Sequence, residues 1–195
     1  MLRGTLLSIV TFALAGGCMK PPMDMGPPKK PAVPAEMKEM EKFIGNWAWT
    51  GEMVSPTKEE MMKDMPPGSK EPQTKFSGTG KCEPVLGGMA VRSEGTFELE
   101  GQKMTSVEYK MWDGAAKKFR TLSMNDWGEI GTGWLTPCKE CGGYCSKSEA
   151  TDAQGNKKRF EGCMKFVDKD THDWTFTESG PMGKMTIRGT SKRQK

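Results

Sequence analysis

The chain has 195 residues, with 29 basic and 25 acidic side chains and a formal net charge of +4. Charge this mixed argues against a nucleic-acid partner, and beyond the N-terminus no apolar run reaches the roughly 20 residues that a membrane-spanning helix needs. Glycine (24) and methionine (17) are abundant while helix-forming apolar residues are scarce, which leans towards an all-β domain.

The N-terminus reads as an address. Arg3 precedes an apolar run over residues 6–15, of signal-peptide length and too short to span a bilayer. Gly16, Gly17 and Cys18 follow, and this order resembles the bacterial lipobox. That resemblance implies cleavage before Cys18 and lipid on its sulfur and new amino group, and two or three acyl chains anchor durably where one does not. Met19, in the place where Asp favours the inner membrane, points to the outer membrane, with the domain facing the periplasm. Residues 1–17 are thus expected to be the signal. Residues 18–34 form a lipidated cysteine and a Pro-rich tether, and 35–193 a folded domain. An extended tether reaches about 3.1 Å per residue.

After the tether, Met37, Met40, Phe43 and Ile44 predict a short helix, with Pro34 in its first turn and Gly45 ending it. From residue 46 the chain alternates. Trp47, Trp49, Gly51 and Met53 share one face, and Phe76, Gly78, Gly80 and Cys82 share another. Residues 55–72 read as a long polar loop. Further strands are expected over 89–97, 103–112, 118–124, 129–136, 144–151, 159–167, 173–178 and 184–190. Turn signals such as Asp113-Gly114 and Ser179-Gly180-Pro181 separate them. Connections this short exclude parallel crossovers, so about ten strands should pair antiparallel in sequence order. An up-and-down barrel removes the vulnerable edges; a two-sheet sandwich is the alternative.

Several segments carry a family resemblance. They are Phe43-Ile44-Gly45-Asn46-Trp47, Leu86-Gly87-Gly88-Met89, Tyr109-Lys110-Met111-Trp112-Asp113 and Ser123-Met124-Asn125-Asp126-Trp127-Gly128. The run from Asp168 to Phe176 completes the set. In this order they resemble the bacterial domain of unknown function 1579 family, over residues 36–193. The resemblance implies a lipocalin-like antiparallel barrel and supplies no catalytic residues. Gly45-x-Trp47 also resembles the first-strand signature of lipocalin-like barrels, in which a last-strand arginine packs over the tryptophan. This implies Trp47 and Arg188 as a barrel-closing pair held by cation–π contact.

Six cysteines are present, and lipidation of Cys18 leaves an odd five. Beyond the inner membrane the expectation is disulfides. Cys138, Cys141, Cys145 and Cys163 are the candidates: Cys138 and Cys145 flank a hairpin tip, Cys163 is expected to point outwards, and Cys82 is expected as a buried free thiol. The competing reading is zinc or copper on Cys138, Cys141 and Cys145, whose Cys-x-x-Cys spacing suits thiolate ligation but lacks a nearby histidine as fourth donor. Met61, Met62 and Met65 add soft thioethers to that reading. The one histidine, His172, falls in a polar run that reads as a hairpin turn. Nitrobindin-type barrels, related to this family, hold haem through a histidine, and a turn position argues against that here.

No hydrolase or phosphate-loop signature is present, so the chain is read as a non-enzyme without cofactor or resident metal. The expected role is binding of a small apolar or amphipathic ligand, or of an envelope component, in a lumen lined by Trp49, Met53, Phe76, Met89, Met111, Phe160, Met164 and Phe176. A barrel filled completely by side chains, acting through its surface, is the alternative, and a soft-metal carrier is the third.

Overall fold

The computed structural model describes residues 29–195 except 64, 71, 100 and 182. The expectations for the signal, Cys18 and most of the tether lie outside the described residues. Residues 33–195 form one compact unit. A 3₁₀ helix (Ala35–Phe43) leads into β1 (Gly45–Ser55), a short α1 (Lys58–Lys63), β2 (Lys75–Val85), β3 (Ala90–Leu99), β4 (Gln102–Asp113) and β5 (Lys118–Asn125). Then follow β6 (Ile130–Cys138), β7 (Gly143–Thr151), β8 (Lys157–Phe166), β9 (Thr171–Gly180) and β10 (Gly183–Arg193). Each strand pairs antiparallel with the next, and β1 pairs with β10, so the ten strands close into an up-and-down barrel. The sandwich alternative is excluded. α1 interrupts the expected polar loop.

Side-chain chemistry starts and ends the turns. Asp113 accepts hydrogen bonds from the N–H groups of Ala115 and Ala116, Asn125 from Trp127 and Glu129, and Asp152 from Gln154 and Asn156. Short polar side chains mimic a backbone turn in this way, which is why these Asp and Asn residues punctuate the strands.

The N-terminal helix plugs one end. Met37, Met40 and Phe43 recur every third residue, which lines them up on one face of a 3₁₀ helix, and all three are buried. They pack with Val91, Phe119, Leu135 and Tyr144 as the main core. The Tyr144 hydroxyl donates to Glu39 at 2.7 Å, holding the Glu39 carboxyl below the usual range, and Lys42 stands 4.8 Å over the Tyr144 ring. The helix stops at Ile44, whose backbone is extended, and Gly45 opens β1 with φ +134°. A Cβ on Gly45 would sit 2.5 Å from the Arg193 guanidinium, so both conformation and space require glycine there.

The closing arginine is Arg193, not Arg188. The guanidinium of Arg193 lies 4.4 Å from the Trp47 ring centroid, and Arg193 faces Trp47 in the β1–β10 register. Arg188 points outwards and forms an ion pair with Glu52 at 2.6 Å. The error arose from length: β10 runs three residues beyond the expected end. Trp47 is buried, and its Nε1 donates to the Phe43 carbonyl at 2.7 Å, tying plug to barrel.

Two disulfides lie at the plugged end. Cys138 bonds Cys145 across the β6–β7 hairpin, and Cys141 in the turn bonds Cys163 on β8, with Cα separations of 5.4 and 5.9 Å. Cys82 is the free cysteine among the described residues. The Sγ atoms of Cys138, Cys141 and Cys145 lie within 4.8 Å of one another. As disulfides they carry no thiolate, and a soft metal needs one. Cys138–Cys145 closes a loop with a sequence separation of 7, worth about 2 kcal/mol of unfolded-state entropy. Replacing both by serine should lower stability by that amount in denaturant unfolding; no change would mean that the fold is indifferent to this bond.

Candidate ligand-binding site

Alternation along each strand divides the wall into an inner and an outer face. On β1 to β3, the inner face contains Trp49, Gly78, Gly80 and Gly95. Side chains added at those glycines would strike the Trp49 indole, at 2.3 Å for Gly78. The glycines therefore form a flat floor on which Trp49 lies. Larger residues there would push it into the lumen.

One half of the lumen is filled. Phe76 is buried against Phe97 (4.7 Å between centroids) and Trp174 (6.0 Å), and Trp174 meets Phe176 at 5.8 Å. The other half, under the plug, holds a cavity of about 190 Å³. Phe43, Trp47, Trp49 and Met164 give it apolar walls, and Cys82, Ser93, Ser106, Glu108, Lys110 and His172 give it a polar side. Two larger depressions, of about 550 and 480 Å³, are open troughs on the outer wall beside Arg188 and beside Trp134. Both lie on the outer face of the barrel wall rather than between the plug and the lumen.

The polar side is a connected group. Lys110, 6% exposed, forms an ion pair with Glu108 and donates to the Ser93 hydroxyl at 3.3 Å. The Cys82 thiol donates to the same oxygen at 3.1 Å. His172 is the exception. It is 8% exposed, and its Nδ1 is buried with no hydrogen-bond partner among the described residues. Its ring is boxed by Trp47 (4.7 Å), Phe166 (5.1 Å) and Phe43 (6.4 Å). Burial pushes the imidazole pKa down to about 4, with Arg193 and Lys110 adding to the effect and Asp173 opposing it. The ring is therefore neutral at pH 7.

The expected lumen residues divide. Trp49 and Met164 line the cavity, and Phe76 and Phe176 fill the other half. Met53 sits on the inner face opposite Ile187, and Phe160 opposite Ser148. Met89 does not belong with them. It lies in the turn before β3, following the 3₁₀ turn Leu86–Gly88. Met111 points outwards and is 39% exposed. His172 is likewise corrected: β9 begins at Thr171, so the histidine is a buried strand residue and not a turn residue.

Sequence reasoning missed the polar side because β4 runs against the usual pattern. Met104 and Trp112 keep the inward face apolar towards its ends, but in its middle Val107, Tyr109 and Met111 face out and Ser106, Glu108 and Lys110 face in. β5 continues this, with Leu122 and Met124 about 40% exposed and Thr121 buried. The available signal was register. Pairing from the well-marked Trp49–Gly78 and Cys82–Ser93 faces around to β4 places Glu108 and Lys110 inside.

A haem does not fit this site. Three aromatic rings crowd the imidazole, and a space of about 190 Å³ is comparable to one that holds a single benzene-sized ring, not a four-pyrrole macrocycle.

A closed ten-stranded antiparallel barrel with a plugged end and an internal cavity belongs to the lipocalin-like class of barrels. The family described as "Protein of unknown function (DUF1579)" matches residues 33–188, and the chain belongs to that family. No curated protein matches it. Among solved structures, the chain is similar to Rv2717c from M. tuberculosis, at 9% identity and a TM-score of 0.55, over 84% of this chain and all of that one. It is also similar to the S-type phycobiliprotein lyase CPES from Guillardia theta, at 10% identity and a TM-score of 0.49, over 81% of this chain and 92% of that one. A third, EF1p2_mFAP2b bound to DFHBI, matches at 8% identity and a TM-score of 0.43, over 82% of this chain and all of that one. At these identities the likeness concerns the fold.

Proposed function

We propose that this protein is a lipid-anchored component of the bacterial envelope that holds one small apolar or amphipathic ligand in its barrel lumen, acting by binding and not by catalysis. The observation that carries the reading is the cavity beneath the plug, lined on one side by a histidine that is itself buried and whose Nδ1 has no hydrogen-bond partner among the described residues. Buried polar groups ordinarily have partners, and an orphan costs about 1–3 kcal/mol unless something bound supplies one. Export is supported by the Arg3, apolar run, Gly-Gly-Cys order and by cysteines paired as disulfides, which persist in oxidising compartments. In this reading Cys18 carries the lipid and the domain faces the periplasm from the outer membrane.

Native mass spectrometry of the full chain purified from its own membrane tests both parts. The expected spectrum shows acyl chains on Cys18 and one further non-covalent mass. The Ser106→Phe variant, which places a ring in the cavity, should lose that second mass and keep the first. An unacylated N-terminus overturns the anchoring. A wild-type spectrum with no bound mass favours the side-chain-filled barrel, a reading that the aromatic half of the lumen supports.

A further inference from the structure

We propose that the lumen cavity takes an uncharged, single-ring aromatic bearing a hydroxyl group, with the hydroxyl on the His172 imidazole and the ring against Trp47 and Trp49. This rests on the reading of the lumen as a binding site and narrows it to one chemical class.

Size sets the first limit. A cavity of about 190 Å³ is close to the roughly 150 Å³ apolar cavity that accepts benzene. It is too small for a long acyl chain or a fused-ring system. The walls set the second. Phe43, Trp47 and Trp49 present aromatic surface, and aromatic pairs in offset or edge-to-face geometry add about 0.5–1.5 kcal/mol beyond area burial. Trp49 is backed by glycines and so cannot retreat, leaving a fixed face to pack against.

Charge sets the third. Both lysines that line the cavity are already paired, Lys110 with Glu108 and Lys81 with Glu83, and Lys110 also donates to Ser93. A buried carboxylate or ammonium would find no free counter-ion, and an unpaired charge in such a place is strongly unfavourable. The burial that keeps His172 neutral makes the imidazole a neutral partner too. A hydroxyl both donates and accepts, so it can pair with an imidazole in either tautomer. It supplies what the lumen histidine lacks, and the remaining ring supplies what the tryptophans can hold.

The test uses the full chain and three probes of similar size, p-cresol, toluene and 4-methylbenzoate, titrated by calorimetry. p-Cresol is expected to bind about tenfold more tightly than either other probe, the scale of one buried hydrogen bond. In His172→Phe, which keeps a ring and removes the nitrogens, p-cresol should fall to the affinity of toluene, and toluene should be unchanged. His172→Gln, which keeps a hydrogen-bonding group, should retain part of the preference and guards against a folding artefact. Equal binding of toluene and p-cresol to the native protein overturns the phenolic class and leaves the lumen reading standing. So does a preference that survives His172→Phe. Tighter binding of 4-methylbenzoate overturns the neutral-ligand argument. If none of the three binds, the phenolic class falls, and if in addition nothing non-covalent co-purifies with the native chain, the lumen reading falls as well.

Discussion

Arg193→Ala is expected to lower the stability of the barrel by about 3–4 kcal/mol, and Arg188→Ala by less than about 1 kcal/mol. Both are arginines on β10, and both have a carboxylate partner. What differs is what else they hold. Arg193 donates to the carbonyls of Ile44, Lys42 and Lys169 and to the Asp170 carboxylate while lying on the Trp47 face. Removing it leaves several partly buried carbonyls without donors and uncovers a buried tryptophan. Hydrogen bonds from a charged donor contribute about 1.5–3 kcal/mol each, though not additively, and cation–π contact about 0.5–2. Arg188 is 63% exposed in its pair with Glu52, and exposed pairs of this kind contribute little. Urea unfolding followed by circular dichroism, with disulfides intact, gives both values. Equal losses would mean that the plugged end is not secured by Arg193. Loss of the β1–β10 seam would be visible as early exchange of the Ala48 amide, which faces Lys192 of β10.

Acidification should weaken the protein through His172. An unfolded histidine titrates near 6.5, and the folded one is pushed down to about 4. Between those values the unfolded chain binds a proton that the folded chain refuses, so stability falls as pH drops through that window. At about 1.36 kcal/mol per unit, the loss amounts to roughly 3 kcal/mol between pH 6.5 and pH 4, and it is flat above 6.5. The His172→Phe variant lacks this slope. It should also be more stable than the native protein at pH 7 by about 1 kcal/mol, since an orphaned polar atom has been removed from the interior. Carboxylates held low in the fold, such as Asp113 and Asp152, contribute their own loss at more acid pH in both proteins. The difference between the two stability curves therefore isolates the histidine. Parallel curves from pH 7 to pH 4 would show that His172 is not buried as described.

The architecture was largely legible because its signals are local. Alternation in 47–53 and 76–82, the i, i+3 spacing of Met37, Met40 and Phe43, and the Asp and Asn turns each act over a few residues. Cysteine parity was readable too: Cys82 on the face of Phe76 and Cys163 on the face of Arg159. What failed depended on where strands end and which face the core takes. Two residues at the start of β9 decide whether His172 is a turn or a lumen residue, and three at the end of β10 decide whether Arg188 or Arg193 meets Trp47. Met111 failed for a different reason. In the middle of β4 the apolar residues Val107, Tyr109 and Met111 face outwards while Met104 and Trp112 near its ends face in, so hydrophobicity alone selects the wrong face for Met111. Such an inversion is affordable to a barrel only where its lumen has polar work, which is where the cavity lies.

The placement of the indoles has an optical consequence. Trp47 and Trp49 border the cavity, while Trp127 is 58% exposed on a loop and Trp134 lies on the outer wall beneath the Arg120 guanidinium. A molecule entering the lumen touches the first pair and leaves the second pair in its existing surroundings. Trp112 and Trp174, packed against Phe119 and Phe76 away from the cavity, add a constant background, so the change in emission on occupancy comes from Trp47 and Trp49 while the exposed Trp127 serves as an internal standard. Collisional quenching with acrylamide separates the two, so filling of the lumen can be followed in unlabelled protein in real time.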